Sequence, residues 1–161
     1  MIRKHSPTPA TGAHRYAVRV YYEDTDAGGV VYHATYLRFA ERARTEAMRD
    51  LGIPHAELVR ECNLMFVVRR AELDYVRPAH LDDSLTVTTE LTALGGATVE
   101  LRQRFWRAGE ELAAARLSLA CVRGGDGRPG RIPPRWREGL ARLAADGRPG
   151  WAGPEGLGRK D

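Results

Sequence analysis

The chain has 161 residues, enough for one ordinary domain that folds without covalent staples. Its two cysteines, Cys62 and Cys121, share no ligand spacing with each other or with a histidine, which argues against a zinc site or a disulfide framework and fits a reducing cytoplasm. The net charge is +4, but the arginines are scattered without interleaved aromatics, so the composition points away from nucleic acid.

Residues 1–14 carry "MIRKHSPTPATGAH", basic and without an apolar core; they read as a flexible tail and not as a secretory signal. No run approaches the ~18 apolar residues of a membrane span. "AVRVYY" at 17–22 alternates, with Val18, Val20 and Tyr22 expected on one face of a strand. "YLRFAERARTEAMRDLGI" then repeats apolar residues at three and four: Leu37, Ala40, Ala43 or Arg44, Ala47, Met48 and Leu51. That spacing predicts an amphipathic helix of four to five turns, stopped by Gly52 and Pro54. Arg42 and Glu46 stand at i,i+4 on its polar side and are expected to pair. "PHAELVREC" predicts a further short helix.

From residue 64 the texture changes to β-branched and aromatic. "LMFVVRRAELDYV", "SLTVTTEL" and "TVELRQRFW" read as strands. In the second, Leu85, Val87, Thr89 and Leu91 share a face; in the third, Val99, Leu101, Gln103 and Phe105 do. "LAAARLSLACV" has helix-forming composition. It follows two hairpin partners and ends in the breakers "RGGDGRPG", so the reading is a strand. "PPRWREGLARLAAD" predicts a C-terminal helix from about Pro134, and residues 146–161 read as a second flexible tail. The order is α+β, one long helix against an antiparallel sheet of about five strands, all within residues 15–145.

The chemistry concentrates in "YYEDTDAGGVVYHATY", residues 21–36. Gly28 and Gly29 free the backbone to turn and let a ligand approach the main chain. The first amides of a helix lack intrahelical partners and carry the positive end of its dipole, so they can polarise a substrate oxygen. Asp26 stands just before the glycines, where a carboxylate serves as base, as nucleophile or as a plain cap. Residue types leave those roles open. Asp24 and Glu23 read as solvated loop or cap. Tyr32 and Tyr36 divide between packing and pocket lining. Arg69 and Arg70 suit phosphate oxygens but equally a solvated strand face. His5, His14, His55 and His80 have no partner pattern.

The segment "RVYYEDTDAGGVVYHATYLRFAERARTE" resembles the signature of the hotdog-fold acyl-CoA thioesterases of the 4-hydroxybenzoyl-CoA thioesterase group, and most of all the branch associated with the Tol-Pal system. Tyr22, Asp24, Thr25, Asp26, Gly28, Gly29, Val30, Val31, Tyr32, His33 and Tyr36 fall in register, and "FVVRRAELDYVRPAHLDD" extends the similarity. The resemblance implies a long helix wrapped by an antiparallel sheet and a dimer with two sites at its interface, often a tetramer. It places the catalytic carboxylate at Asp26. The thioester oxygen would meet the backbone amide of His33. The implied partners are acyl-CoA and, further out, an acyl carrier protein; no metal or cofactor is called for. The expected reaction is hydrolysis of acyl-CoA to free acid and coenzyme A. Two other readings stand beside it: a hydratase or dehydratase on the same fold, using Asp26 with His33, and a non-catalytic acyl-carrier or scaffold-binding module.

Overall fold

The computed structural model describes residues 12–144. The expected tails fall almost wholly outside them. Of the first, Gly12 N–H bonds the Arg142 carbonyl at 2.8 Å, and His14 opens the first strand with its side chain buried.

The elements run β1 (His14–Arg19), a 3₁₀ turn (Tyr22–Asp24), α1 (Thr35–Asp50), α2 (His55–Cys62), β2 (Leu64–Tyr75), β3 (Ser84–Leu94), β4 (Thr98–Arg107), β5 (Glu110–Arg123) and α3 (Pro134–Ala141). The strands form one five-stranded sheet in the order β1-β3-β4-β5-β2. Every pairing is antiparallel. The architecture is the expected α+β layer, including the alanine-rich β5. That strand is held on both sides, by β4 and β2, and two complete ladders outweigh its helical propensity.

Helix α1 packs Tyr36, Phe39, Ala40, Ala43, Ala47 and Met48 onto the sheet. The alanines bring the helix axis close, and the rings of Tyr36 and Phe105 meet edge to face at 5.1 Å. The helix ends in a Schellman motif: Ile53 N–H reaches the Met48 carbonyl at 2.9 Å and Gly52 N–H the Arg49 carbonyl at 3.1 Å. Gly52 supplies the left-handed φ of 73° that this closure needs.

Four local expectations change. Leu37 is exposed, and Phe39 takes its place in the stripe, because Tyr36 sets the inward direction and Leu37 lies about 100° around the helix from it. Glu46 pairs with Arg49 one turn on and not with Arg42. Strand β1 stops at Arg19: Val20 stays buried, but Tyr22 is 84% exposed. The cause is Asp24, whose carboxylate accepts the Tyr21 N–H at 2.8 Å and draws the chain out of the sheet into the 3₁₀ turn. The C-terminal helix is also shorter than expected, closing at Ala141.

Candidate active site

The loop between β1 and α1 folds back on itself. Thr25 and Val31 bridge as a minimal hairpin, and Asp26 N–H donates to the Val30 carbonyl at 2.8 Å. Gly29 N–H returns to the Asp26 carbonyl at 3.0 Å, which closes a four-residue turn. Gly29 sits at φ 80° and so needs glycine. Gly28 has no positive φ. Its N–H instead donates to Asp26 Oδ1 at 2.8 Å, and a Cβ there would lie 3.2 Å from that oxygen.

The Asp26 carboxylate is therefore held at the tip of the hairpin with one oxygen engaged by a backbone amide and the other open. It is exposed, whereas Asp24 two residues earlier is buried and spent on capping. Tyr32 N–H bonds the Asp24 carbonyl at 2.9 Å and pins the far limb of the hairpin beside the near one. Backbone hydrogen bonds alone thus fix the hairpin, with Asp26 at its tip and the helix start following its far limb.

At the helix start, Thr35 N–H returns to the Tyr32 carbonyl, while the amides of His33 and Ala34 find no acceptor among the described residues. Two donors at the positive end of α1 are free for a ligand oxygen. His33 contributes backbone and an exposed ring that leans on Tyr32, with centroids 4.4 Å apart. Its carbonyl accepts a hydrogen bond from Tyr75 Oη at 2.7 Å. That bond fixes the peptide between His33 and Ala34 and strengthens the Ala34 N–H as a donor by polarisation. Partial desolvation pushes the pKa of the Tyr75 phenol up.

A cavity of about 240 Å³ opens beside these donors, lined by Val31, His33, Tyr36, Tyr75, Val76 and Pro78 among others. Tyr36 is 3% exposed and packs against Phe39, Tyr75 and Phe105, so its two expected roles coincide in a core residue with one face on the cavity. Tyr32 is half exposed on the rim side of the loop.

The structure does not bring Arg69 and Arg70 to this cavity. Both are exposed on β2, upstream of Tyr75. Arg70 forms an ion pair with Glu72, and Arg69 is the extra residue of a β-bulge between Val68 and Arg70. Tyr75 is the side chain at this candidate site that sequence reasoning missed. Its only signal was an aromatic residue at the end of a strand, and its bond to His33 spans 42 positions. Two of the histidines without an expected role prove structural: His14 bonds Asp50 at 2.8 Å, and His55 Nε2 accepts the Phe66 N–H at 3.1 Å, while His80 is exposed and His5 lies outside the described residues.

Known proteins place this geometry in context. The family profile described as the thioesterase superfamily matches residues 28–114, more than half of the chain. The acyl-CoA thioesterase YbgC of Haemophilus influenzae is 49% identical over 118 residues, which is 73% of this chain and 87% of that protein. A crystal structure of a probable thioesterase from Bartonella henselae superposes with a TM-score of 0.72 at 39% identity, covering 76% of this chain and all of the other. The 1,4-dihydroxy-2-naphthoyl-CoA thioesterase Slr0204 from Synechocystis shares the fold at a TM-score of 0.76 and 22% identity, over 82% of this chain and 98% of its own. Profile, relative and solved structure agree: the chain belongs to the hotdog-fold thioesterase superfamily.

Proposed function

We propose that the protein hydrolyses acyl-CoA thioesters, with Asp26 as the reacting carboxylate and the His33 and Ala34 amides as the oxyanion site. The observation that carries this reading is the hairpin, which holds an open carboxylate oxygen on the loop that leads into a helix whose first amides are free. Membership of the thioesterase superfamily and near-half identity to a named acyl-CoA thioesterase support it.

The thioester carbonyl oxygen rests on the helix-start amides, which take up the negative charge of the tetrahedral intermediate. Asp26 acts in one of two ways. As a base it removes a proton from water as the water adds to the carbonyl. As a nucleophile it forms a mixed anhydride, and water then cleaves the anhydride. In both cases the C–S bond breaks, the thiolate of coenzyme A leaves and takes a proton, and the free acid is the other product. The His33 ring and Tyr32 line the approach to the loop. Arg69, with no carboxylate partner among the described residues, is the better placed of the two arginines to meet a phosphate of coenzyme A.

The site of one protomer is open to solvent, and a second copy supplies the missing wall in this reading. Strand β2 is 12 residues long and lies at the end of the sheet. It leaves Val67, Val68 and Tyr75 exposed, with Val76 just beyond. A long apolar edge of this kind pairs with another strand unless it is blunted. A symmetric dimer, alone or doubled into a tetramer, joins the two sheets there. Light scattering that gives a monomer at micromolar concentration removes the shared wall. No helix among the described residues is long and apolar enough to cross a membrane, which fits a cytoplasmic protein acting on acyl-CoA or on an acyl carrier protein.

The test is thiol release. Incubation with acyl-CoAs of graded chain length and with aromatic acyl-CoAs, followed with a thiol reagent, gives kcat/KM for each. Free thiol appears if the proposal holds. Hydration releases none, and a binding module shows no turnover with any member of the panel.

A further inference from the structure

The inner face of α1 holds a second polar group that the loop chemistry does not use. Gln103, on β4, is completely buried. Its amide nitrogen donates to Thr89 Oγ1 at 2.9 Å and to the Ala40 carbonyl at 3.0 Å. Its carbonyl oxygen accepts one N–H of the Arg44 guanidinium at 3.1 Å. Gln103 is neutral, so this bond does not balance the charge of Arg44. Among the described residues no carboxylate forms an ion pair with Arg44; Glu41, one turn back along the helix, reaches it only by longer-range attraction. Burial pulls the Arg44 pKa down from its ordinary value, against the opposing pull of Glu41. A guanidinium carries five N–H donors, and Gln103 occupies one of them.

Arg44 lines a cavity of about 280 Å³ between α1 and the sheet. Most of the rest of its lining is apolar, with Met48 one turn along the same helix and Phe66, Val99, Leu101, Leu119 and Leu143. The other titratable groups on it are His55, whose Nε2 is taken by the Phe66 amide, and Glu41, whose side chain is exposed. Within the protomer this cavity is separate from the loop. Tyr36, Phe39 and Ala40, at 3%, 0% and 0% exposure, fill the inner face of α1 between the helix start and Glu41.

A cation with spare donors at one side of an apolar chamber suits a ligand with one anionic end and an aliphatic tail. A planar carboxylate matches the guanidinium fork with two parallel hydrogen bonds. At ~30 Å³ for each water-sized group, the chamber has room for about nine of them, the size of a chain of roughly eight carbons. We propose that this cavity binds a medium-chain carboxylate, its head on Arg44 and its chain against Met48, Phe66 and Leu119. The site stands on its own geometry and does not depend on the catalytic reading of the loop.

Calorimetry with octanoate on the full chain tests it, with 1-octanol as the uncharged control of equal tail length. Octanoate binds at one per chain, and octanol binds at least about tenfold more weakly, the scale of a charge-assisted pair. Arg44→Met removes the preference for octanoate, and Arg44→Lys keeps part of it. Octanoate seated at the catalytic loop would be indifferent to both changes. Arg44→Met also strands the Gln103 carbonyl, so a second readout is taken on the unaltered protein: octanoate shifts the methyl resonances of Met48 and Leu119. Equal binding of octanoate and octanol overturns the proposal. So does undiminished octanoate binding by folded Arg44→Met, or silence at the Met48 and Leu119 methyls.

Discussion

Helix α1 carries polar chemistry in two places, and they are built in opposite ways. At its start, Asp26 and the free amides are exposed and positioned by backbone bonds within residues 24–35. At its middle, Arg44, Gln103, Thr89 and the Ala40 carbonyl are linked by side-chain bonds that join residues up to 63 positions apart. The first arrangement leaves its key side chain with little structural duty, so changing it should alter chemistry and spare the fold. The second satisfies buried groups, so changing it should cost stability and spare the chemistry. Variants at the two places make the contrast measurable.

The largest effect is expected at Asp26. Asp26→Asn keeps the size and removes both base and nucleophile, so turnover falls by ~10²-fold or more. The melting temperature stays within a degree or two of wild type, since a surface change of this kind usually costs under ~0.5 kcal/mol. Activity near wild type in the folded variant would take Asp26 out of the mechanism. A large loss of stability would mean that the loop is not the independent unit its backbone bonds suggest.

Gly29→Val comes next. The position holds φ 80°, which a β-branched residue adopts only under strain. The turn should open and the helix-start amides lose their alignment. The expected result is a drop in kcat of the order of 10²-fold, the scale for losing one oxyanion donor, with KM changed less. Gly29→Ala should fall between Val and wild type. Steady-state kinetics with circular dichroism as the folding control reads this. A raised KM with intact kcat would assign the glycine to substrate access.

Gln103→Met carries the contrast into the core. It removes the acceptor of Arg44 and the donor to Thr89 and Ala40 while keeping the volume. Stability should drop by about 2 kcal/mol, the scale of leaving buried polar groups unpaired, and kcat should hold. Urea unfolding measures the first and thiol release the second. A variant as stable as wild type would show that the network is worth no more than a methionine.

The smallest effect concerns pH at the junction of α2 and β2. Burial lowers the His55 pKa by penalising the charged ring, and the neutral ring is the form that accepts the Phe66 amide. The unfolded chain then binds more protons than the folded one, so stability is complete above the ordinary histidine value near 6.5 and declines as pH falls toward the lowered folded value. Melting temperatures at pH 7.5 and 5.5 should differ slightly more for wild type than for His55→Gln. Identical slopes would remove His55 from the acid sensitivity.

What could be read from the residues follows the range of the interactions involved. The period of two in β3 and β4 placed Gln103 on the buried face alongside Val99, Leu101 and Phe105, because alternation is a property of the strand itself. It did not name what a buried glutamine would bond. Those partners lie 14 to 63 positions away on other elements. Tyr22 misled for a similar reason: the strand pattern continues through it, but the Asp24 carboxylate competes for the backbone and wins.

Sequence by itself determined the α+β order, the helix stripe with its Gly52 stop, and the acid and glycines of residues 26–29. All of these depend on contacts within a few residues, which composition and spacing record directly. Tertiary structure alone decided that Tyr75 holds the His33 carbonyl, that the alanine-rich β5 lies between β4 and β2 in the sheet, and that Arg44 faces a neutral partner in an apolar chamber. Each of those outcomes depends on which distant strand becomes a neighbour, and that follows from how the sheet closes over α1.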